Sequence, residues 1–292
     1  MSSNRGNATR AVLWMLGAAA GSTAFAIIGR EASRYMPLGQ LVFWRSAFAL
    51  PIVVAITLSF GGGLAALKTQ RFGLHIARNL VHFAGQYCWL YAVSIVPLAF
   101  LFAIEFTSPL WIVLFGPLLL GERVTSARLI AAAVGFTGVF VIVRPDTVPL
   151  NTGTLAAFGA AISLALSVIA IKRLTSTERP LQILFYMSGL HTVFAFLMLK
   201  GDVEIPSGIG GALAALLAVT GLVVHYCMSR AYALGDALLV TPVDFVRLPL
   251  IAVVGAMFYG EELDLVFVVG ALLIVFANWW NLRSAAQGGP RS

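Results

Sequence analysis

Charge is what this chain has least of. Only 11% of its 292 residues are Asp, Glu, Lys or Arg, where a soluble domain carries about a quarter. Hydrophobic residues make up 60%, so a solvated globular surface is excluded. There are two cysteines, Cys88 and Cys227. Both fall in apolar stretches, which excludes a disulfide framework and leaves them as small packing groups. The glycine-rich "GGGLAALK" at 61–68 lacks the Gly-Lys-Ser/Thr ending of a phosphate loop, which argues against an ATP-driven pump. No His/Cys/Asp/Glu constellation has metal-ligand spacing, and no nucleophile–base motif is visible, so neither a metal, a cofactor nor an enzyme is expected. Alternating segments of about ten residues, the mark of a membrane β-barrel, are missing too.

What remains is a series of long apolar segments. About 20 apolar residues cross a bilayer as a helix. Spans are expected at 11–29, 38–59, 76–96, 98–120, 127–143, 152–171, 181–200, 209–231, 236–259 and 264–282. The fold class is therefore an all-α membrane protein with ten transmembrane helices and short linkers. Residues 1–29 also resemble a secretory signal, with a basic start and "AFA" at 24–26. The run is long for a signal, and its removal would break the repeat described below, so it is read as the first span. Arg30, Arg34, Arg144 and Lys200 fall on one side of the membrane. The other loop cations, from Arg5 and Arg10 through Lys68, Arg71 and Arg78 to Arg283 and Arg291, fall on the other. Such a bias places both termini in the cytoplasm. It also accounts for the net charge of +7 without nucleic acid as a partner.

The chain reads as two copies of one half. "FAIEFTSPLWIVLFGPLLLGE" (102–122) aligns with "TPVDFVRLPLIAVVGAMFYGE" (241–261). Glu105 falls on Asp244, Phe106 on Phe245, Gly116 on Gly255 and Gly121-Glu122 on Gly260-Glu261. In the same order, "QYC" (86–88) falls on "HYC" (225–227), "FWRS" (43–46) on "FYMS" (185–188), and Gly17 on Gly159. The repeats are set at 11–145 and 150–283. Each holds five spans, an odd number, so the second is inverted relative to the first. Inverted repeats are common among secondary transporters, which bind solute near the midplane and move by alternating access.

Ionisable residues inside a span face the bundle interior and mark functional sites. Away from the span ends, the charged residues are Arg45, Glu105, Asp244 and Arg247. Asp244 and Arg247 are three apart and share a helix face. Arg45 lacks a partner in its own span, and Glu105 is its expected partner by symmetry and depth. Glu105 and Asp244 suit a coupling proton, a sodium ion or a substrate ammonium, and Arg45 suits a substrate carboxylate held bidentately. The bland alternative for all of them is structural ion pairing. Span 3 carries His82, Gln86 and Trp89 on one stripe, and span 8 repeats it with His225, Ser229 and Tyr232. Tyr87, Tyr91 and Tyr226 offer stacking surface, though interface packing is the commoner use of such rings. His191 stands alone in span 7 and reads as packing. Pro109 and Pro249 remove backbone donors next to the acids. With Thr107 they suggest a loosened cavity wall with a hinge. Gly17 and Gly21, and Ala131, Gly135 and Gly138, let helices approach closely, within the chain or across a homodimer.

At this point the chain resembles the EamA-type ten-helix permeases of the drug/metabolite transporter superfamily. The most specific stretch is "FTSPLWIVLFGPLLLGERVTSARLIAAAVGFTGVFVIVRP" (106–145), with Gly260-Glu261 repeating its Gly-Glu. The resemblance implies a multi-pass carrier of the bacterial inner membrane. It implies small metabolites, often exported, and coupling to an ion gradient. The expected function is secondary active transport by alternating access of a small polar or amphipathic metabolite, an amino acid or derivative, with export as the direction the resemblance implies. The alternative is uptake of a larger vitamin or nucleoside-like solute of the riboflavin or S-adenosylmethionine type. A channel or lipid-moving protein ranks below both. Met187 stands where Arg45 stands in the other half, so the halves are chemically unequal.

Overall fold

The computed structural model describes residues 2–60, 62–120, 126–143, 151–174, 177–234, 243–244 and 246–287. The repeat landmarks Gly121-Glu122 and Arg144-Pro145 lie outside them. Among the described residues all regular structure is helical. In chain order the helices are α1 (Ser2–Ala32), α2 (Leu38–Phe60), α3 (Phe72–Ile95), α4 (Leu98–Glu105), α5 (Ser108–Leu120), α6 (Ser126–Val143), α7 (Thr152–Leu174), α8 (Pro180–Met198), α9 (Gly208–Leu234), α10 (Arg247–Tyr259) and α11 (Leu265–Gln287). One 3-10 turn, Leu64–Leu67, interrupts the longest linker.

Among the described residues six stretches are long and apolar enough to cross a membrane: Thr9–Ala32, Leu38–Phe60, Leu98–Leu119, Thr152–Ile171, Pro180–Met198 and Gly208–Ala231. Leu129–Val143, Arg247–Tyr259 and Leu265–Asn281 are apolar but shorter. The expected third span, now α3, is long enough but belongs to neither group. It buries His75, Arg78 and Asn79, and such polar content is supportable only where neighbouring helices supply partners. Arg78, assigned above to a loop, is buried within α3. Its Nε donates to Ser167 Oγ at 3.1 Å and its Nη1 to Asn79 Oδ1 at 2.7 Å. The expected fourth span is divided between α4 and α5.

The outer surface is apolar. Leu118, Phe140, Phe258 and Leu265 are exposed, while Asn79, His191 and Asn278 are buried. This inversion suits lipid outside and a polar interior. Helices pack chiefly as α1 on α9, α3 on α7, α6 on α11 and α2 on α8. Between lipid-solvated helices there is no hydrophobic drive, so close packing at small residues carries the association. Gly138 on α6 and Gly270 on α11 meet face to face. A Cβ on Gly138 would lie 2.6 Å from the Gly270 carbonyl oxygen, and one on Gly270 2.7 Å from that of Gly138.

Replacing Gly138 by Leu forces these backbones apart. The expected loss is about 1–3 kcal/mol, the usual cost of overpacking. A lowered unfolding temperature in detergent checks it. Gly116→Ala serves as control, because a Cβ there meets nothing within 4 Å.

Candidate functional site

A cavity of about 470 Å³ opens between α1, α2, α3, α7, α9, the α4–α5 break and the start of α10. That size is in the range of small-molecule sites, about 300–1,000 Å³. Its wall is largely apolar and aromatic, with Phe25, Trp89, Phe102 and Phe106, and it carries Arg45, His82, Gln86, Glu105, His225, Asp244 and Arg247. A second cleft, about 680 Å³, lies at the helix ends among Lys68, Arg71, Glu178, Arg179 and Gln182. Its groups tie the loops together: Thr69 donates to Glu178 at 2.7 Å and Gln182 to the Lys68 carbonyl at 2.6 Å.

The break comes from the local sequence. Proline at 109 has no backbone donor and disfavours helix in the residue before it. The chain turns at Phe106-Thr107, and Pro109 falls in the first turn of α5, where no donor is needed. A kinked continuous helix was expected; the helix instead ends and restarts. The Phe106 carbonyl at the break accepts from Asn278 Nδ2 at 2.7 Å. Thr107 is buried, donates to the Ile104 carbonyl at 2.6 Å and accepts from Trp111 at 3.2 Å. It therefore serves the break, and Ser108 and Pro109 reach the cavity instead.

The end of α4 presents Glu105 to Arg247. Arg247 Nη1 lies 3.1 Å from Glu105 and Nη2 2.9 Å from Asp244. Trp89 Nε1 donates to the other Glu105 oxygen at 2.7 Å. The guanidinium also lies 4.9 Å from the Phe106 ring centre and 5.5 Å from that of Phe102. Glu105 is thus paired with Arg247 and not, as expected, with Arg45. The reason is reach: Arg247, the first residue of α10, lies within hydrogen-bond distance of both Asp244 and Glu105 at the end of α4. Arg45 instead donates to Gln86 Oε1 at 2.8 Å and stacks 5.6 Å from the Phe25 centre.

His82 lies 3.4 Å, Nδ1 to Nε2, from His191, and its ring centre is 6.4 Å from that of His225. His191, expected merely to pack, closes this cluster from α8. Sequence pattern missed it because its aligned position in the first half carries no histidine. Ser229 is exposed and donates to the His225 carbonyl at 2.8 Å. Pro249 is also exposed, on the outer face of α10. Tyr226 points outward against Trp14, and Tyr87 and Tyr91 stay off the cavity wall. The Tyr232 side chain lies outside the described residues.

The ends of α1, α3 and α4 are tied together. Arg30 on α1 pairs with Glu261 at 2.6 Å and donates to the Val93 and Val96 carbonyls at the end of α3. Glu261 in turn accepts from the first backbone N–H groups of α4, Leu98 at 2.8 Å and Ala99 at 3.4 Å. A carboxylate at a helix N-terminus satisfies unpaired donors and opposes the helix dipole.

The model described as the EamA-like transporter family matches residues 9–144 and again 151–283. The chain belongs to the EamA-like transporter family. It is a membrane transporter of the drug/metabolite superfamily, not an enzyme. Among its relatives, a riboflavin transporter of Brucella anthropi is 33% identical over 85% of this chain and 89% of its own length. An S-adenosylmethionine uptake transporter of Rickettsia felis is 26% identical over 95% of this chain and 94% of its own. A solved structure, 18% identical, matches with a TM-score of 0.67 over 97% of this chain and 99% of that one, and so shows the same fold. In this EamA-like chain Arg247 is the cation that neutralises the acid pair.

Arg247→Leu leaves two carboxylates without their cation. Breaking a buried pair on one side costs about 3–5 kcal/mol. A sharp drop in unfolding temperature is expected. Adding Glu105→Gln and Asp244→Asn to the same variant restores most of it, and equal stability of the single and triple variants would mean the pair carries no structural weight.

Proposed function

We propose that this transporter takes up an aromatic, vitamin-like solute of the riboflavin type, by alternating access between two inverted five-helix repeats. The observation that carries the reading is the cavity itself. Phe25, Trp89, Phe102 and Phe106 give a flat ring faces to rest on, while Arg45, Gln86, His82 and His225 offer hydrogen bonds. The name of the relative from Brucella anthropi supports that solute class, and the name of the Rickettsia felis relative supports uptake over the export implied by the family resemblance.

The inverted repeat draws support from packing. Exchange the halves and α1 on α9 becomes α7 on α3, while α2 on α8 and α6 on α11 map onto themselves. Side chains follow the same exchange. A Cβ on Gly17 would lie 3.6 Å from Cys227, and one on Gly159 3.5 Å from Cys88. With five spans to a half, the second half inverts, and both termini sit on the cytoplasmic face of a bacterial inner membrane. Glu105 carries the coupling proton: protonation would release Arg247 to Asp244 alone and loosen the break between α4 and α5.

A second reading is a zwitterionic solute. Arg45 stands on α2 and the acid pair at the break and at 244, so opposite charges lie on different parts of one wall. A carboxylate and a cationic centre on one solute match that division.

Purified protein in liposomes, given an inward proton gradient, should accumulate riboflavin saturably. Linear, gradient-independent leak would instead indicate a channel. Glu105→Gln should reduce gradient-driven accumulation roughly tenfold, the scale of a lost charged hydrogen bond, with exchange of riboflavin across the membrane retained. A matching loss of folded protein would remove the coupling role. For alternating access, a cysteine is placed at Leu101, which is fully buried near the Glu261 tie, in a chain lacking Cys88 and Cys227. It should resist a water-soluble maleimide until Glu261→Ala releases that tie.

A further inference from the structure

We propose that Arg45 and Gln86 form the pocket that selects the solute by its paired acceptor edge, two carbonyl oxygens of an imide ring or two oxygens of a carboxylate. This rests on the uptake reading above and names the part of the solute that the site holds.

Arg45 is only 8% exposed, yet among the described residues it has no carboxylate within ion-pair distance. The other buried cations differ. Arg247 has two carboxylates, Arg30 has Glu261 and two carbonyls, and Arg78 has Ser167 and Asn79. Arg45 gives one hydrogen bond to the neutral Gln86 oxygen, and its buried Nε has no partner. A buried cation held so thinly is costly, because desolvation is opposed only by one neutral acceptor and the face of Phe25. The aligned position of the second half shows an inexpensive substitute, Met187, buried at 4%. A cation that packing does not require, lining the cavity, is explained by a counter-group that arrives with the solute.

The geometry says what that group is. Guanidinium offers a planar fork of donors. Gln86 has its oxygen turned to Arg45, which leaves its amide N–H groups to donate. A carboxylate fits the fork with both oxygens; an imide places one carbonyl on the fork and the other on the Gln86 amide. Phe25 and Trp89 stand 5.5 Å apart at 50°, a wedge and not a stack, beside this pair. Gly221 keeps the wedge open, since a Cβ there would come within 3.3 Å of Phe25 and 3.7 Å of Arg45 Nη1.

The test uses full-length protein in lipid nanodiscs. Riboflavin binding is followed by flavin fluorescence, S-adenosylmethionine by calorimetry, and the unfolding temperature is measured without solute. Arg45→Met should bind riboflavin about 10- to 100-fold more weakly, as loss of a charged hydrogen bond predicts, while the empty protein unfolds at the same temperature or higher. Riboflavin methylated at the imide nitrogen should bind wild type more weakly than riboflavin does, and bind Arg45→Met no differently from riboflavin. Arg45→Lys keeps the charge without the fork and should recover only part of the affinity, so it serves also if the Met variant does not fold. Riboflavin bound equally by wild type and Arg45→Met overturns the pocket and leaves the flavin reading intact. No riboflavin binding, with Arg45-dependent binding of S-adenosylmethionine, sinks the flavin reading and keeps the pocket. Binding of neither by wild type overturns both. An empty Arg45→Met protein that is clearly less stable makes Arg45 a structural residue and overturns the pocket.

Discussion

Everything around the cavity depends on one constraint: no polar group in the hydrocarbon layer can be left to lipid. Breaking a span at Phe106-Thr107 frees backbone groups and leaves a carboxylate at the end of an eight-residue helix, α4. Each loose end of α4 is taken up by a residue far along the chain. Glu261 accepts from its first N–H groups, Arg247 pairs with Glu105 at its last residue, and Asn278 donates to the carbonyl just past it. All three donors or acceptors lie beyond residue 243. The short helix on which the cavity rests is thus held by the second half of the chain. A movement of one half against the other must pass through these contacts.

The rest of the scaffold is comparatively neutral. Small residues at the helix crossings set the approach of backbones, as where Gly138 and Gly270 meet, and large aliphatic side chains face outward. Contacts of this kind are individually weak and numerous. They permit a small sliding of helices without the loss of any single strong bond. The polar ties around α4 are few and specific, so each carries more of the hold on that helix than any single apolar contact does.

The sequence announced the helices well, since their apolar runs are long and linkers short, and it announced the acid pair because Glu105 and Asp244 align. It also placed His82, Gln86, Trp89 and His225 on stripes that do reach the cavity. It misled wherever an outcome depended on three-dimensional reach. Glu105 found Arg247 instead of Arg45, because partner choice inside a bundle follows which helix faces meet and not alignment. Arg78 looked like a loop cation at the edge of the span expected from 76, yet α3 starts at Phe72 and Arg78 is buried among α3 and α7 partners. His191 had no repeat partner to flag it. Ser229, aligned in its stripe, is exposed, and its hydroxyl is given to the His225 carbonyl of its own helix.

The acids of the two halves correspond and the cations do not. Arg247 aligns with Ser108 and Arg45 with Met187, so each half keeps one carboxylate while the two guanidinium groups break the symmetry. Had each acid its own arginine, the cavity would hold two closed ion pairs and little to offer a solute. As it stands, Arg247 serves both acids at once, with distances of 3.1 and 2.9 Å, and that shared use leaves Arg45 free of any carboxylate among the described residues. The alignment of the acids is thus matched by no alignment of the cations, and the unmatched guanidinium of Arg45 is the one left to the cavity wall. Discrimination between a flavin-like and a zwitterionic solute falls on the same division: the first needs Arg45, Gln86 and the ring wedge alone, and the second also needs an acid pair that Arg247 already occupies. A solute that draws on the free cation without competing for the engaged one binds at the smaller electrostatic cost, which favours the flavin-like class.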